Sequence, residues 1–171
     1  MNLQSTDFEL FQIPMQFAQD RSVLDTRWKE LQREAHPDKF AAQGVAAQRI
    51  AMQWSVRINE AYQRLKEPLQ RAAYLCELAD FSVNAHSNTA MPAAFLMQQM
   101  EWREALDDAR GLEPLEELAD TVQNSKEQVL HHCATLLDEQ HDYANAVNLV
   151  RILMFIEKFS HDLNQRLDQF E

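Results

Sequence analysis

The sequence predicts an all-α protein built in two parts, and three observations carry that reading. Only two glycines (Gly44 and Gly111) and five prolines interrupt 171 residues. No run alternates apolar and polar residues over several positions, as a half-buried strand would. Apolar residues recur instead at helical spacing along most of the chain. A chain of this length can bury a core as one domain or as two small ones. Charge also divides it. Residues 1–75 carry ten Lys and Arg against nine Asp and Glu, whereas residues 76–171 carry six against eighteen. A chain of net charge −11 is a poor binder of phosphate backbones, so nucleic acid is not an expected partner.

Leu24, Trp28, Leu31 and Ala35 recur at i, i+4, i+7 and i+11, one apolar stripe of a helix. Pro37 cannot continue that helix, and it biases His36 away from the α region. His36 and Asp38 are therefore expected on a polar loop between two antiparallel helices. The second helix is marked by Ile50, Trp54, Ile58, Ala61 and Leu65. Residues 71–79 can continue as helix, which would make the linkage short and stiff. Residues 81–89 hold several turn-formers and little periodicity, and read as a connecting loop. The parts are accordingly placed at 1–75 and 91–171, with a linker at 76–90.

Three helical segments follow. One starts near Met91-Pro92, with the proline in the first turn. The next starts at Pro114, just past Gly111, and runs to about Leu137. The last runs from about Asp142 to the C-terminus. Leu115, Leu118, Val122, Val129, Cys133 and Leu136 stripe the second segment; Leu149, Ile152, Ile156, Phe159, Leu163 and Phe170 stripe the third. Such a/d-like spacing, joined by a short turn over 138–142, predicts an antiparallel helical hairpin with coiled-coil-like packing.

Two places are candidates for function. At the first, a His and an Asp two residues apart could be a capping arrangement or part of an acid–base or metal site. Catalysis would require a nucleophile or further ligands converging on the loop, and Lys29, Arg33, Lys39 and Gln43 supply none. Lys29 and Arg33 stand at i, i+4 on one helix face, with Arg27 on another flank.

At the second, Phe95, Trp102 and Leu106 share one face of a helix over 94–106 and are its natural core anchors. Leu96, Met97 and Met100 point elsewhere, rimmed by Glu101, Arg103 and Glu104. Phe155 and Met154 lie off their own helix's stripe. A helix apolar on two faces is either buried twice or carries an interaction surface, and methionine suits adaptable surfaces. Burial against the first part, or in a wider core, is the alternative.

His131 and His132 beside Cys133 make a poor metal site, because adjacent helical residues diverge by about 100°. His86, His141 and His161 read as surface residues. Cys76 and Cys133 form no CxxC pair and read as reduced thiols in or near helical cores. No basic N-terminus precedes an apolar run, and the most apolar stretch, residues 149–156, is interrupted by Arg151 and too short to span a bilayer. The chain is expected to be soluble and cytoplasmic, without membrane contact.

These residues carry a family resemblance. The string His36-Pro37-Asp38-Lys39-Phe40 follows a helix, as in a J domain. Asp7 to Ile13 resembles that domain's short first helix, and Ile58-Asn59-Glu60-Ala61-Tyr62 a segment of its third. Pro68 to Leu75 then leads into a second helical region. Together with the Phe95-Leu96-Met97 segment and the total length, this resembles the HscB-type J co-chaperones of bacterial iron–sulfur cluster assembly. The resemblance covers nearly the whole chain. It implies an all-α fold: an N-terminal J domain, a helical hairpin with the His-Pro-Asp loop, followed by a C-terminal three-helix domain.

It also implies partners. His36, Pro37, Asp38, Lys29, Arg33, Arg27 and Lys39 would dock on an HscA-type heat-shock ATPase and promote ATP hydrolysis. Leu96, Met97, Met100, Glu101, Glu104 and Phe155 would hold an IscU-type iron–sulfur scaffold. No catalytic residue, cofactor or metal is implied, and the four-cysteine module of some eukaryotic relatives has no match. The docking helix departs from the general J pattern: Glu30 and Glu34 stand where many J domains are basic, and Ala35 where many are aromatic. That favours a specialised ATPase. The rivals are a general J-protein adaptor for another client, and a small helical hydrolase using His36 and Asp38.

Overall fold

Thr6 and Glu9 start the first helix. The Glu9 amide donates to Thr6 Oγ1 at 3.1 Å and the Thr6 amide to Glu9 Oε2 at 3.4 Å, a reciprocal cap that satisfies two helix-end donors. In this computed structural model, which describes residues 2–83 and 91–170, the chain divides into two compact units, Met1–Leu75 and Cys76–Glu171. The described residues form helices and no strands.

The first unit holds α1 (Asp7–Phe11), α2 (Arg21–Ala35), a 3₁₀ helix (Pro37–Gln43), α3 (Val45–Lys66) and the start of α4 (Pro68–Leu78). Asp20 caps α2, accepting from the Ser22 amide at 2.9 Å and the Ser22 hydroxyl at 2.6 Å. Those bonds hold its carboxyl below the usual carboxylate range. Pro37 puts His36 in extended backbone (φ −62°, ψ 129°), and α2 stops there. Gly44 restarts the chain into α3 at φ +99°, a conformation that favours glycine. Phe8, Leu10, Phe11, Leu24, Leu31, Ile58, Ala61 and Leu65 form the core.

One expected core position is corrected. Ile50 is 55% exposed, and Ala51 is buried in its place. Ala51 lies seven residues before Ile58, about 20° away around the helix, whereas Ile50 lies eight before and about 80° away.

A buried acid ties this unit together, a feature the apolar pattern could not show. Asp7 is fully buried, with Arg64 Nε 2.6 Å from Oδ2 and Arg57 Nη1 2.8 Å from Oδ1. The Asp7 amide donates to Tyr74 Oη at 3.0 Å, and the Tyr74 ring stacks on Phe8 at 5.7 Å. Arg71 donates to the carbonyls of Phe17 and Leu65. The first turns of α4 are thus integral to the unit.

The second unit holds α5 (Ala93–Asp108), α6 (Leu112–Ala134), a π-helical turn (Thr135–Glu139) and α7 (Tyr143–Asp168). α6 starts two residues earlier than expected. Gly111 caps it at φ +95°, and Pro114 sits in the first turn, where its missing N–H leaves nothing unpaired. The turn over 138–142 is entered through the π helix, which buries both Leu136 and Leu137. Leu115, Leu118 and Val122 of α6 and Ile152, Ile156, Phe159 and Leu163 of α7 pack with Phe95, Trp102 and Leu106 of α5 in one core. Phe170 departs from its expected stripe: α7 ends at Asp168, and the ring is left exposed.

Residues 76–83, expected in the linker, pack with this unit. Cys76 is buried, Phe81 stacks on Tyr143 at 6.4 Å, and Arg151 Nε donates to the Val83 carbonyl at 3.1 Å. The rest of the expected linker, residues 84–90 with His86, lies outside the described residues.

Candidate functional site

The hairpin of α2 and α3 presents the His-Pro-Asp turn, and a polar ladder holds its register. Trp28 Nε1 donates to Asn59 Oδ1 at 2.9 Å, Gln32 Nε2 to the same oxygen at 2.7 Å, and Ser55 Oγ to Gln32 Oε1 at 2.8 Å. Trp28 stacks on Tyr62 at 5.0 Å. The Tyr62 hydroxyl donates to Asp25, which also pairs with Arg21 at 2.9 Å. The hydroxyl and then the guanidinium hold the Asp25 carboxyl below its ordinary range.

At the turn end of that hairpin, His36 Nδ1 accepts from the Asp38 amide at 3.2 Å, which orients the ring. The Asp38 side chain is 92% exposed, with Oδ2 3.7 Å from His36 Nδ1. The Lys39 amide donates to the His36 carbonyl at 3.1 Å, and Pro37 opens the 3₁₀ helix. The imidazole is thereby fixed by a local bond, and it and the Asp38 carboxylate are both turned to solvent. Lys29, Arg33 and Lys39 are also exposed, and none makes an ion pair among the described residues.

Arg27 is different, because its guanidinium is engaged within the unit. Its Nε donates to the Phe11 carbonyl at 2.9 Å, Nη2 to Gln12 Oε1 at 3.0 Å, and Nη1 to Glu30. It ties α1 to α2. Sequence spacing placed it on a flank of the basic face, but the side chain turns toward the end of α1.

In the second unit, α5 buries Phe95, Trp102 and Leu106 and exposes Leu96 (44%), Met97 (64%) and Met100 (72%). Phe155 of α7 is 46% exposed, its ring edge-on to Phe95 at 6.4 Å; Met154 is exposed beside it in sequence. Glu101 and Glu104 are both exposed. Between α5 and α7 lies a cleft of about 300 Å³, floored by Phe95, Trp102 and Phe159 and bordered by Met100, Phe155, Arg103 and Lys158. Arg103 pairs with Asp162 at 3.2 Å and lies 5.1 Å from the Phe159 ring centroid. Lys158 was not singled out in the sequence, although it stands three residues from Phe155, one turn along the same helix.

Among the described residues, no group of three His, Cys, Asp or Glu could hold a metal ion. Cys76 and Cys133 are buried, and burial pushes their thiols up to about 11 and about 12. Within the same residues, no helix is long and apolar enough to cross a membrane.

Comparison with known proteins adds the family context. Residues 91–164 match the family described as HSCB C-terminal oligomerisation domain. A co-chaperone protein HscB homolog of Burkholderia multivorans is 44% identical over 174 residues, covering 100% of this chain and 99% of that protein. A homolog of the same name from Bordetella petrii is 47% identical over 157 residues, covering 91% of this chain and 92% of that one. Among solved structures, the chaperone HscB from Vibrio cholerae is similar with a TM-score of 0.84 at 33% identity, over 98% of this chain and 100% of that chain.

Proposed function

The chain belongs to the HscB family of co-chaperones, and on that basis we propose that it stimulates an HscA-type heat-shock ATPase and delivers to it an IscU-type iron–sulfur scaffold, in the cytoplasm. The His-Pro-Asp turn carries this reading. An imidazole held by a bond from the turn's own backbone and a neighbouring carboxylate are turned to solvent and followed by an exposed lysine. Such a device suits recognition on a rigid hairpin. Lys29, Arg33 and Lys39 supply positive charge for an acidic ATPase surface. The contact made there favours ATP hydrolysis by the partner; the chain itself turns over nothing.

Leu96, Met97, Met100 and Phe155, with Glu101 and Glu104, form the scaffold surface of the second unit. Half-exposed apolar side chains on a rigid helix can be desolvated by a partner at little ordering cost. In this reading, holding the scaffold and triggering the ATPase are separate tasks of the two units, and the result is assisted cluster transfer to acceptor proteins. A second reading, pairing of copies of this chain through residues 91–164, is favoured by the description of the family matched there.

The test is steady-state ATP hydrolysis by an HscA-type ATPase with and without the chain. Wild type should stimulate it, and His36→Gln should not. That substitution should alter stability by less than about 0.5 kcal/mol, as expected for an exposed turn residue, and leave scaffold binding intact. Undiminished stimulation by His36→Gln refutes the J-domain role.

A further inference from the structure

Beyond the apolar patch, charge is distributed around the α5–α7 cleft in a way that the patch alone does not explain. Residues 76–171 contain six cationic side chains against eighteen acidic ones. Five of the six are engaged within the unit: Arg103 with Asp162, Lys126 with Glu157, and Arg110, Arg151 and Arg166 with backbone carbonyls. Of the six, only the Lys158 side chain has no hydrogen bond or ion pair among the described residues. It is exposed at the border of a cleft whose floor is aromatic.

Around α5 the surface is ordered. Moving away from Arg103, Met100 lies about 60° further round the helix, Glu104 about 40° beyond it and Glu101 about 60° beyond that. Lys158 borders the cleft from α7. The face therefore runs basic, apolar, acidic.

We infer that this cleft, with Lys158 at its border, reads a two-part feature of the scaffold: an apolar side chain that enters between Met100 and Phe155, and a neighbouring carboxylate that pairs with Lys158. The inference rests on the scaffold reading above and adds to it a specificity-determining residue. A partner complementary to the whole face presents acid, apolar and base in matching order, so it can seat in one orientation only. Charge of this kind contributes orientation and discrimination more than raw affinity. Lysine suits the task, because its ammonium is a point charge on a flexible stem that can follow a carboxylate.

The experiment is calorimetric titration of the full chain with a purified IscU-type scaffold. Lys158→Met should weaken binding about threefold and Lys158→Glu about tenfold, the scale of an exposed pair lost and then reversed. Both effects should shrink as salt rises from about 0.05 to 0.5 M. A charge-reversal scan of scaffold carboxylates should find one whose Lys variant restores binding to Lys158→Glu, a coupling that a merely structural lysine does not produce. Unchanged or tighter binding by Lys158→Glu, with the wild type binding normally, overturns the inference and leaves the patch reading standing. A wild-type chain that binds no scaffold overturns both. If Lys158→Glu changes sedimentation of the chain as a self-associated species but not scaffold affinity, the cleft faces another copy and the inference is wrong.

Discussion

Replacing Trp102 by alanine and replacing Leu96, Met100 and Phe155 by alanine together should separate the two faces that meet at α5. Trp102 is 5% exposed and packs against Phe159 with ring centroids 5.6 Å apart. Truncating a buried aromatic to alanine costs about 3–5 kcal/mol, because the cavity only partly closes. In a unit of this size each kcal/mol lowers the melting temperature by about 4–8 °C. Trp102→Ala should thus melt at least about 12 °C lower. The triple variant removes side chains that already face water. Met100 contributes little to the fold, and full burial of a large apolar side chain is worth about 1.5–3 kcal/mol, so half-exposed Leu96 and Phe155 contribute about 1 kcal/mol each. Its melting point should fall by less than that of Trp102→Ala. Scaffold affinity should behave in the opposite way. Interface anchors contribute on the order of 1–2 kcal/mol each, so losing three weakens binding by about a hundredfold or more. Thermal melts followed by circular dichroism, beside titrations with an IscU-type protein, read both quantities. A triple variant that melts as low as Trp102→Ala while still binding scaffold normally would show those residues to be core, not surface.

Two further outcomes follow from the buried polar groups. Asp7→Asn should destabilise the first unit by about 2–4 kcal/mol, since it leaves Arg57 and Arg64 without their charged partner; the partial exposure of Arg64 keeps the cost below that of a fully buried pair. An unshifted urea midpoint for that variant would contradict the network's role. Cys76 and Cys133 are raised in the fold from an ordinary thiol value of 9.0, so their contribution is fully present below pH 9 and is lost as pH climbs through about 11 and about 12. Stability should accordingly decline above pH 9, and maleimide labelling of the native chain at pH 8 should proceed only as fast as local opening. Rapid labelling of either thiol would contradict its burial.

Local chemistry and periodicity alone specify the all-helical class, the turn at His36-Pro37-Asp38 and most of the inward face of each long helix. Those features are local: a 3.6-residue period and a missing proline N–H act within a few residues of themselves. Periodicity also separates Phe95, Trp102 and Leu106 from Leu96, Met97 and Met100, because an angle around one helix needs no knowledge of its neighbours. Where the reading strayed, small offsets or distant partners were the cause. Ala51 rather than Ile50 faces the core because the true period gains about 80° over eight residues and loses about 20° over seven. Spacing alone sets Arg27 on a flank of the basic face, whereas tertiary packing brings the carbonyl of Phe11, sixteen residues away, onto its guanidinium. Asp7 resembled an ordinary acid in a first helical turn, and only the packing of α1 against α3 brings Arg57 and Arg64 onto it. Lys158 acquires meaning only when α7 is laid beside α5 and a cleft opens between them. Periodicity specifies which face of a helix is buried, whereas the partner of a long charged side chain depends on tertiary packing, because its reach extends to whatever element lies alongside.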